Sequence, residues 1–169
     1  MTRKILKSAA WAVFLAAAPV AFALESDRNQ PIEIEADQGS LDQANQVTTF
    51  SGNVIIKQGS LNIRAGSVKV SRDAKGQQLM AATGNPVRFG QTLDGNKGRV
   101  EGQANNVEYS SATGIVKLTG NAKVQRGGDR AEGASIVYNT RTEVYTVSGS
   151  KVASGKGGKR VTVVIQPNK

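Results

Sequence analysis

Apolar and polar residues alternate one by one along most of this 169-residue chain. Pro31-Ile32-Glu33-Ile34-Glu35-Ala36 places Ile32, Ile34 and Ala36 on one side and both acids on the other. A period of two is the signature of a half-buried β-strand. The same pattern recurs at Val54–Lys57, Leu61–Arg64, Val68–Val70, Val107–Tyr109, Val116–Leu118, Ile136–Tyr138, Val144–Val147 and Val161–Ile165. Turn residues separate the runs, as in Lys57-Gln58-Gly59-Ser60, Asp73-Ala74-Lys75-Gly76, Asp94-Gly95-Asn96 and Arg126-Gly127-Gly128-Asp129. The pattern predicts an all-β chain of roughly 14–16 short strands, given turn signals every ~8–12 residues. Without helices to cover it, such a sheet must roll into a sandwich, a barrel or a folded-over sheet.

Two internal repeats sharpen this picture. Ser51-Gly52-Asn53, Thr83-Gly84-Asn85, Thr119-Gly120-Asn121 and Ser148-Gly149-Ser150 place their glycines 32, 36 and 29 residues apart. A second element, Ala65-Gly66-Ser67, Ala104-Asn105-Asn106 and Gly133-Ala134-Ser135, precedes a bulky β-branched stretch each time. A near-constant period means one unit has been duplicated and buries its apolar side against its neighbours. Function then belongs to the stacked surface rather than to one catalytic loop.

The first 23 residues stand apart from this pattern. Arg3, Lys4 and Lys7 precede an apolar run from Ala9 to Ala18, and Ala21-Phe22-Ala23 is a small-x-small cleavage site. This reads as a signal peptide cleaved before Leu24, with residues 24–169 as a single exported domain. There is no cysteine, so hydrophobic burial and ladder hydrogen bonds must hold the fold. The formal net charge of +9 falls to +6 without the leader, and residues 151–169 carry +5 of it. That basic end suits either an anionic partner or plain solvation.

The chemistry available is narrow. With neither His nor Cys, the usual general base, thiol nucleophile and commonest metal ligands are missing. No cofactor or metal site is expected, and no enzyme. Glu33, Glu35 and Asp37 share the polar side of one predicted strand, the only footing for carboxylate catalysis. Gly155-Lys156-Gly157-Gly158-Lys159 lacks the order of a phosphate-binding loop. Five aromatics remain after the leader: Phe50, Phe89, Tyr109, Tyr138 and Tyr145. They are too few to stack bases, which disfavours nucleic acid. What remains is an inward side of medium aliphatics, including Leu41, Ile56, Ile63, Val87, Val124 and, in this reading, Leu79. It makes either a closed core or an apolar groove for acyl chains, where each buried methylene contributes ~0.8 kcal/mol.

The signal peptide followed by Gln30-Pro31-Ile32-Glu33-Ile34-Glu35-Ala36-Asp37 resembles the start of the LptA/OstA family of periplasmic lipopolysaccharide-transport proteins. Val47-Thr48-Thr49-Phe50-Ser51-Gly52-Asn53-Val54, Leu118-Thr119-Gly120-Asn121-Ala122 and Gly158-Lys159-Arg160-Val161-Thr162-Val163-Val164 extend the likeness across the mature chain. The resemblance implies a β-taco or β-jellyroll, a creased antiparallel sheet with open terminal edges, located in the periplasm. It implies that lipid A acyl chains of lipopolysaccharide lie between the leaves, contacted by Ile32, Ile34, Phe89 and Tyr109, with Arg72 near a phosphate. It also implies edge-strand partners: an LptC-like inner-membrane protein, an LptD-like outer-membrane translocon, and further copies head to tail. Docking would use Gln30, Pro31, Ile32, Glu33 and Ile34 at one end and Val161, Val163 and Ile165 at the other. The competing reading is a structural adaptor with a closed core and no lipid.

Overall fold

The computed structural model describes residue 27 and residues 30–93, 97–142, 144–150, 158 and 160–167. The expected leader, the expected turn at Asp94-Gly95-Asn96 and most of the basic end lie outside the described residues. Among the described residues ten strands run in chain order: β1 (Glu33–Glu35), β2 (Gln38–Asp42), β3 (Val47–Gln58), β4 (Leu61–Arg72) and β5 (Gln78–Thr92). They continue as β6 (Arg99–Ser110), β7 (Ile115–Arg126), β8 (Asp129–Asn139), β9 (Val144–Ser148) and β10 (Thr162–Val164). All belong to one antiparallel sheet in the order β1-β3-β4-β5-β6-β7-β8-β10, with β2 also on β3 and β9 also on β8.

Six strands, β3 to β8, are 11–15 residues long, about twice the predicted length. The difference has a single cause. All five ladders between β3 and β8 shift register in mid-strand: at Ser51/Val54, Arg64/Ser67, Thr83/Val87, Gln103/Asn106 and Thr119/Ala122. An extra residue in one strand bends it and strengthens its twist. Irregularities at the same level in every strand therefore crease the whole sheet along a line. Counting each creased strand as two straight arms and adding the four short terminal strands gives sixteen arms, which is the number that the sequence pattern approached.

Both repeats sit on this crease. Gly52 and Asn53 have φ of 79° and 47°, and Gly120 and Asn121 have 81° and 49°. Consecutive left-handed residues favour glycine and asparagine, which explains the Gly-Asn pair. Space matters as much: a Cβ on Gly52 would collide with the Asp37 carboxylate, and one on Gly120 would lie 2.9 Å from Asn105 Nδ2. The second repeat repairs the ladder opposite. Ser67 Oγ donates to the Phe50 carbonyl and Ser135 Oγ to the Leu118 carbonyl, both at 3.0 Å.

The crease divides the sheet into two leaves. Leaf one holds β2, β9 and the arms 47–51, 67–72, 78–83, 106–110, 115–119 and 135–139. Leaf two holds β1, β10 and the remaining arms, with β1 on residues 55–57 and β10 on residues 130–132. One hydrophobic cluster joins them: Val68, Ala82, Leu118 and Ile136 from leaf one meet Val54, Ile56, Val87 and Ala122 from leaf two. Ala104 and Ala122 are fully buried beside the crease, where larger side chains would hold the leaves apart.

Candidate functional site

Register converts alternation into inward rows. In leaf one, Phe50, Val68, Ala82, Val107, Leu118, Ile136 and Val147 are successive cross-strand partners. One step further from the crease runs Leu41, Thr48, Val70, Met80, Tyr109, Val116, Tyr138 and Tyr145. In leaf two the corresponding row passes from Ile34 through Ile56, Ile63 and Phe89 to Gly102, Val124, Ala131 and Val163. Burial falls with distance from the crease and toward both edges. Val68 and Ile136 are wholly buried, whereas Leu41, Tyr145 and Val163 are exposed. The result is an apolar trough that is closed at the crease and open at the mouth and both ends.

The sequence-derived residues take different places in this trough. Ile34 is on edge strand β1 beside Ile56, and 37% of it is accessible. Phe89 occupies the same row three strands away, ~14 Å at the usual strand spacing, so the two flank Ile56 and Ile63 without touching. A Cβ on Gly102 would overlap the Phe89 ring, so this glycine makes the room in which the ring lies. Ile32 precedes β1 and is 61% exposed. Tyr109 lies on the opposite leaf, and Arg72 is exposed at the far end of β4, on the side that carries Val68 and Val70.

One inward expectation is wrong. Leu79 pairs with Ser71 and Ser110, so it faces outward and is 50% exposed, while Met80 and Ala82 face in. Adjacent apolar residues give no parity, and only pairing with β4 and β6 decides it. Met80, Phe50, Val116 and Tyr145 were missed as inward residues. Tyr138 and Tyr145 stack across β8 and β9, with ring centroids 4.1 Å apart and planes 20° apart. Their equal distances from the Asn139–Val144 connection were the available signal.

The acidic triad does not form one strand side. Glu35 pairs with Lys57 at 3.1 Å. Asp37 falls between β1 and β2, where it accepts from Asn53 Nδ2 at 2.9 Å and its amide donates to the Gly52 carbonyl at 2.9 Å. Asp37 is thus engaged in fixing the crease.

Both ends of the sheet are edges. Among the described residues β1 pairs only with β3 and β10 only with β8, which leaves Glu33–Glu35 and Thr162–Val164 with one free side each. Val161, Val163 and Ile165 are exposed there. Leaf one contributes two further edges, β2 and β9, which the sequence reading did not single out. An unpaired strand edge offers backbone donors and acceptors for strand addition.

A polar clasp closes the turn end of leaf two beside β1. Ser60 donates to the buried Asp27 carboxylate through its amide, at 3.0 Å, and through its hydroxyl. The amide of Thr92 donates in turn to Ser60 Oγ at 3.0 Å. Burial pushes the Asp27 carboxyl upward, but the bonds from Ser60 and Gln91 outweigh it and hold the group below its ordinary value of 3.8. A depressed folded value means that the stabilisation is present above the unfolded value and is lost as pH falls through the folded one. The stability difference between wild type and Asp27→Asn should therefore hold near neutral pH and shrink as pH falls below about 4 through the folded value. Chemical denaturation at several pH values measures it; a constant difference would exclude Asp27 as the source.

The geometry can be set beside known proteins. Residues 33–144 match the family described as LptA/(LptD N-terminal domain) LPS transport protein. The chain is 40% identical over 156 residues to the lipopolysaccharide export system protein LptA of Escherichia coli K12, covering 91% of this chain and 80% of that one. It is 38% identical to the Haemophilus influenzae protein of that name, covering 93% and 89%. A crystal structure of LptH of Pseudomonas aeruginosa superimposes with a TM-score of 0.70 at 31% identity, covering 84% of this chain and 99% of that one. That protein is described as the LptA-homologous periplasmic component of a lipopolysaccharide transport device.

Proposed function

The chain belongs to the LptA/(LptD N-terminal domain) LPS transport protein family, and we propose that it is a periplasmic carrier that holds lipid A acyl chains between its leaves. One observation carries this reading. The inward rows are apolar but for Thr48, yet the sheet does not close among the described residues, so the rows reach solvent at the mouth and both edges. A closed core has no need of exposed Ile34 and Val163 in register with buried Ile56 and Ile63. Acyl methylenes contribute ~0.8 kcal/mol each on burial and ask for no polar partner. Ile32, Ile34, Phe89 and Tyr109 contact the chains, and Arg72 at the mouth takes a phosphate.

The free edges supply the link to the membranes. β1, with Gln30, Pro31, Ile32, Glu33 and Ile34, and β10, with Val161, Val163 and Ile165, add a strand each from a neighbour. The neighbours are an LptC-like protein at the inner membrane, an LptD-like translocon at the outer membrane, and further copies of this chain between them. Trough and edges are then one device, because each added strand prolongs both leaf and apolar row. Transport here is non-enzymatic and its energy comes from a partner.

The second reading is an adaptor that binds no lipid. It draws on the near-complete burial of Val54, Val68, Val87 and Leu118. Native mass spectrometry of the purified periplasmic protein with lipopolysaccharide, and separately with phosphatidylglycerol, separates the two. The expected result is a lipopolysaccharide adduct that Ile34→Asp weakens more than tenfold, because a charge is placed in the apolar row. No adduct from folded protein supports the adaptor instead.

A further inference from the structure

The outward side of leaf two carries a feature that the apolar trough does not use. Its residues also align in register: Arg64, Arg88, Gln103, Lys123 and Glu132 form one cross-strand row. Asn62, Gly90, Glu101, Gln125 and Arg130 form the next. Apart from Glu132 these residues, with Arg99 and with Phe89, Gly102 and Val124 from between the two rows, line a cleft of about 460 Å³, within the ~300–1,000 Å³ range of small-molecule sites. Gly90 lowers the cleft floor, since a Cβ there would meet the Arg99 guanidinium that lies across it.

The charges in this cleft are unequally satisfied. Arg99 pairs with Glu101 at 3.0 Å, and Lys123 and Arg130 share Glu132 at 3.5 and 3.3 Å. Arg64 and Arg88 have no ion-pair or hydrogen-bond partner among the described residues, although they are direct cross-strand neighbours. Like charges placed opposite one another destabilise a ladder. An anion held between the two guanidinium forks removes that repulsion and receives bidentate hydrogen bonds. The remaining polar lining is amide, from Asn62, Gln103 and Gln125, which suits hydroxyl groups.

We propose that this outer cleft is a second binding site, for a phosphorylated sugar whose phosphate sits between Arg64 and Arg88 and whose hydroxyls meet the amides. The outer rows lie across the sheet from Ile34 and Ile56, and only Phe89, Gly102 and Val124 belong both to the cleft lining and to the trough's row. The phosphorylated sugar has two sources, a soluble metabolite or a glycolipid headgroup, and both present the same chemistry.

The test is an amide NMR titration of the full periplasmic protein with glucose 1,6-bisphosphate at low salt. Saturable shifts are expected at residues 62–64, 88–90 and 101–103. Arg64→Gln and Arg88→Gln should each weaken binding roughly tenfold, without lowering the melting temperature, because each relieves a like-charge pair. Arg88→Lys should fall between, keeping the charge but losing the fork. Lys69→Gln, on the outer side of leaf one, should change nothing, and Ile34→Asp should leave sugar-phosphate binding intact. Weaker binding of inorganic phosphate alone supports the assignment, because the sugar hydroxyls are then contributing. Purified lipopolysaccharide that shifts the same signals, with loss in Arg64→Gln, identifies the glycolipid source. Shifts that do not saturate, an equal loss in Lys69→Gln, or retention only on phosphatidylglycerol vesicles would overturn it.

Discussion

Leu118→Ala is expected to lower the unfolding free energy by about 2–5 kcal/mol, the range for a buried leucine that leaves a cavity. Leu118 is 1% exposed and heads the largest fully buried side chains. Its row partners are Val107 and Ile136, and its carbonyl accepts the Ser135 hydroxyl at the crease. The cavity therefore opens where strand irregularity leaves the least freedom to collapse. Against a total of about 5–15 kcal/mol for a domain, the loss is large. Denaturant titration measures it, and a decrease below about 1 kcal/mol would mean that the leaves pack loosely even beside the crease. The same residue at the mouth would matter far less: truncating exposed Leu41 should leave stability within about 0.5 kcal/mol of wild type.

Gly120→Val is expected to cost about 2–5 kcal/mol by a different route, backbone strain together with overpacking. The position has a φ of 81°, which a β-branched residue resists, and the added atoms would press on Asn105. The adjacent Asn121 is left-handed too, yet Asn121→Gly should be tolerated, because glycine adopts that conformation without strain. The contrast isolates conformation from composition. The proposed lipid binding gives a second readout, since β7 can no longer bend where its neighbours bend. A stable Gly120→Val protein with normal lipopolysaccharide adducts would show that the crease does not need this bulge.

These two substitutions also mark what was legible in the chain. The alternation around Leu118 announced a strand with an inward leucine. The recurrence of Thr-Gly-Asn announced a duplicated unit. It did not announce that the Gly-Asn pairs interrupt strands instead of ending them. Gly52 and Gly120 have the composition of turns, and only hydrogen bonding to both neighbours on either side makes them bulges. The turns at Lys57–Ser60, Asp73–Gly76 and Arg126–Asp129 do end strands, with nearly the same residues.

The trough was legible to a similar extent. Ile34, Phe89 and Tyr109 each carried the right parity, because a side chain's face follows from counting by twos within one strand. Leu79 failed because counting within a strand cannot fix which of two adjacent apolar residues faces in. Alternation places Asp37 on a strand beside Glu35, whereas it is part of the crease. The stacked Tyr138 and Tyr145, and the facing Arg64 and Arg88, emerge only from register between strands.

The sequence by itself determined the all-β class, the repeat, the faces of single strands and the family to which the chain belongs. These follow from local stereochemistry: period-two patterning, residues suited to positive φ, and residue order. The tertiary structure alone decided that five register shifts fall on one line and that the crease folds the sheet into two leaves. It also decided that the apolar rows end at edges left unpaired among the described residues and that like charges meet on the outer side. Those are relations between strands far apart in the chain, set by ladder hydrogen bonds and by the packing of two leaves against each other.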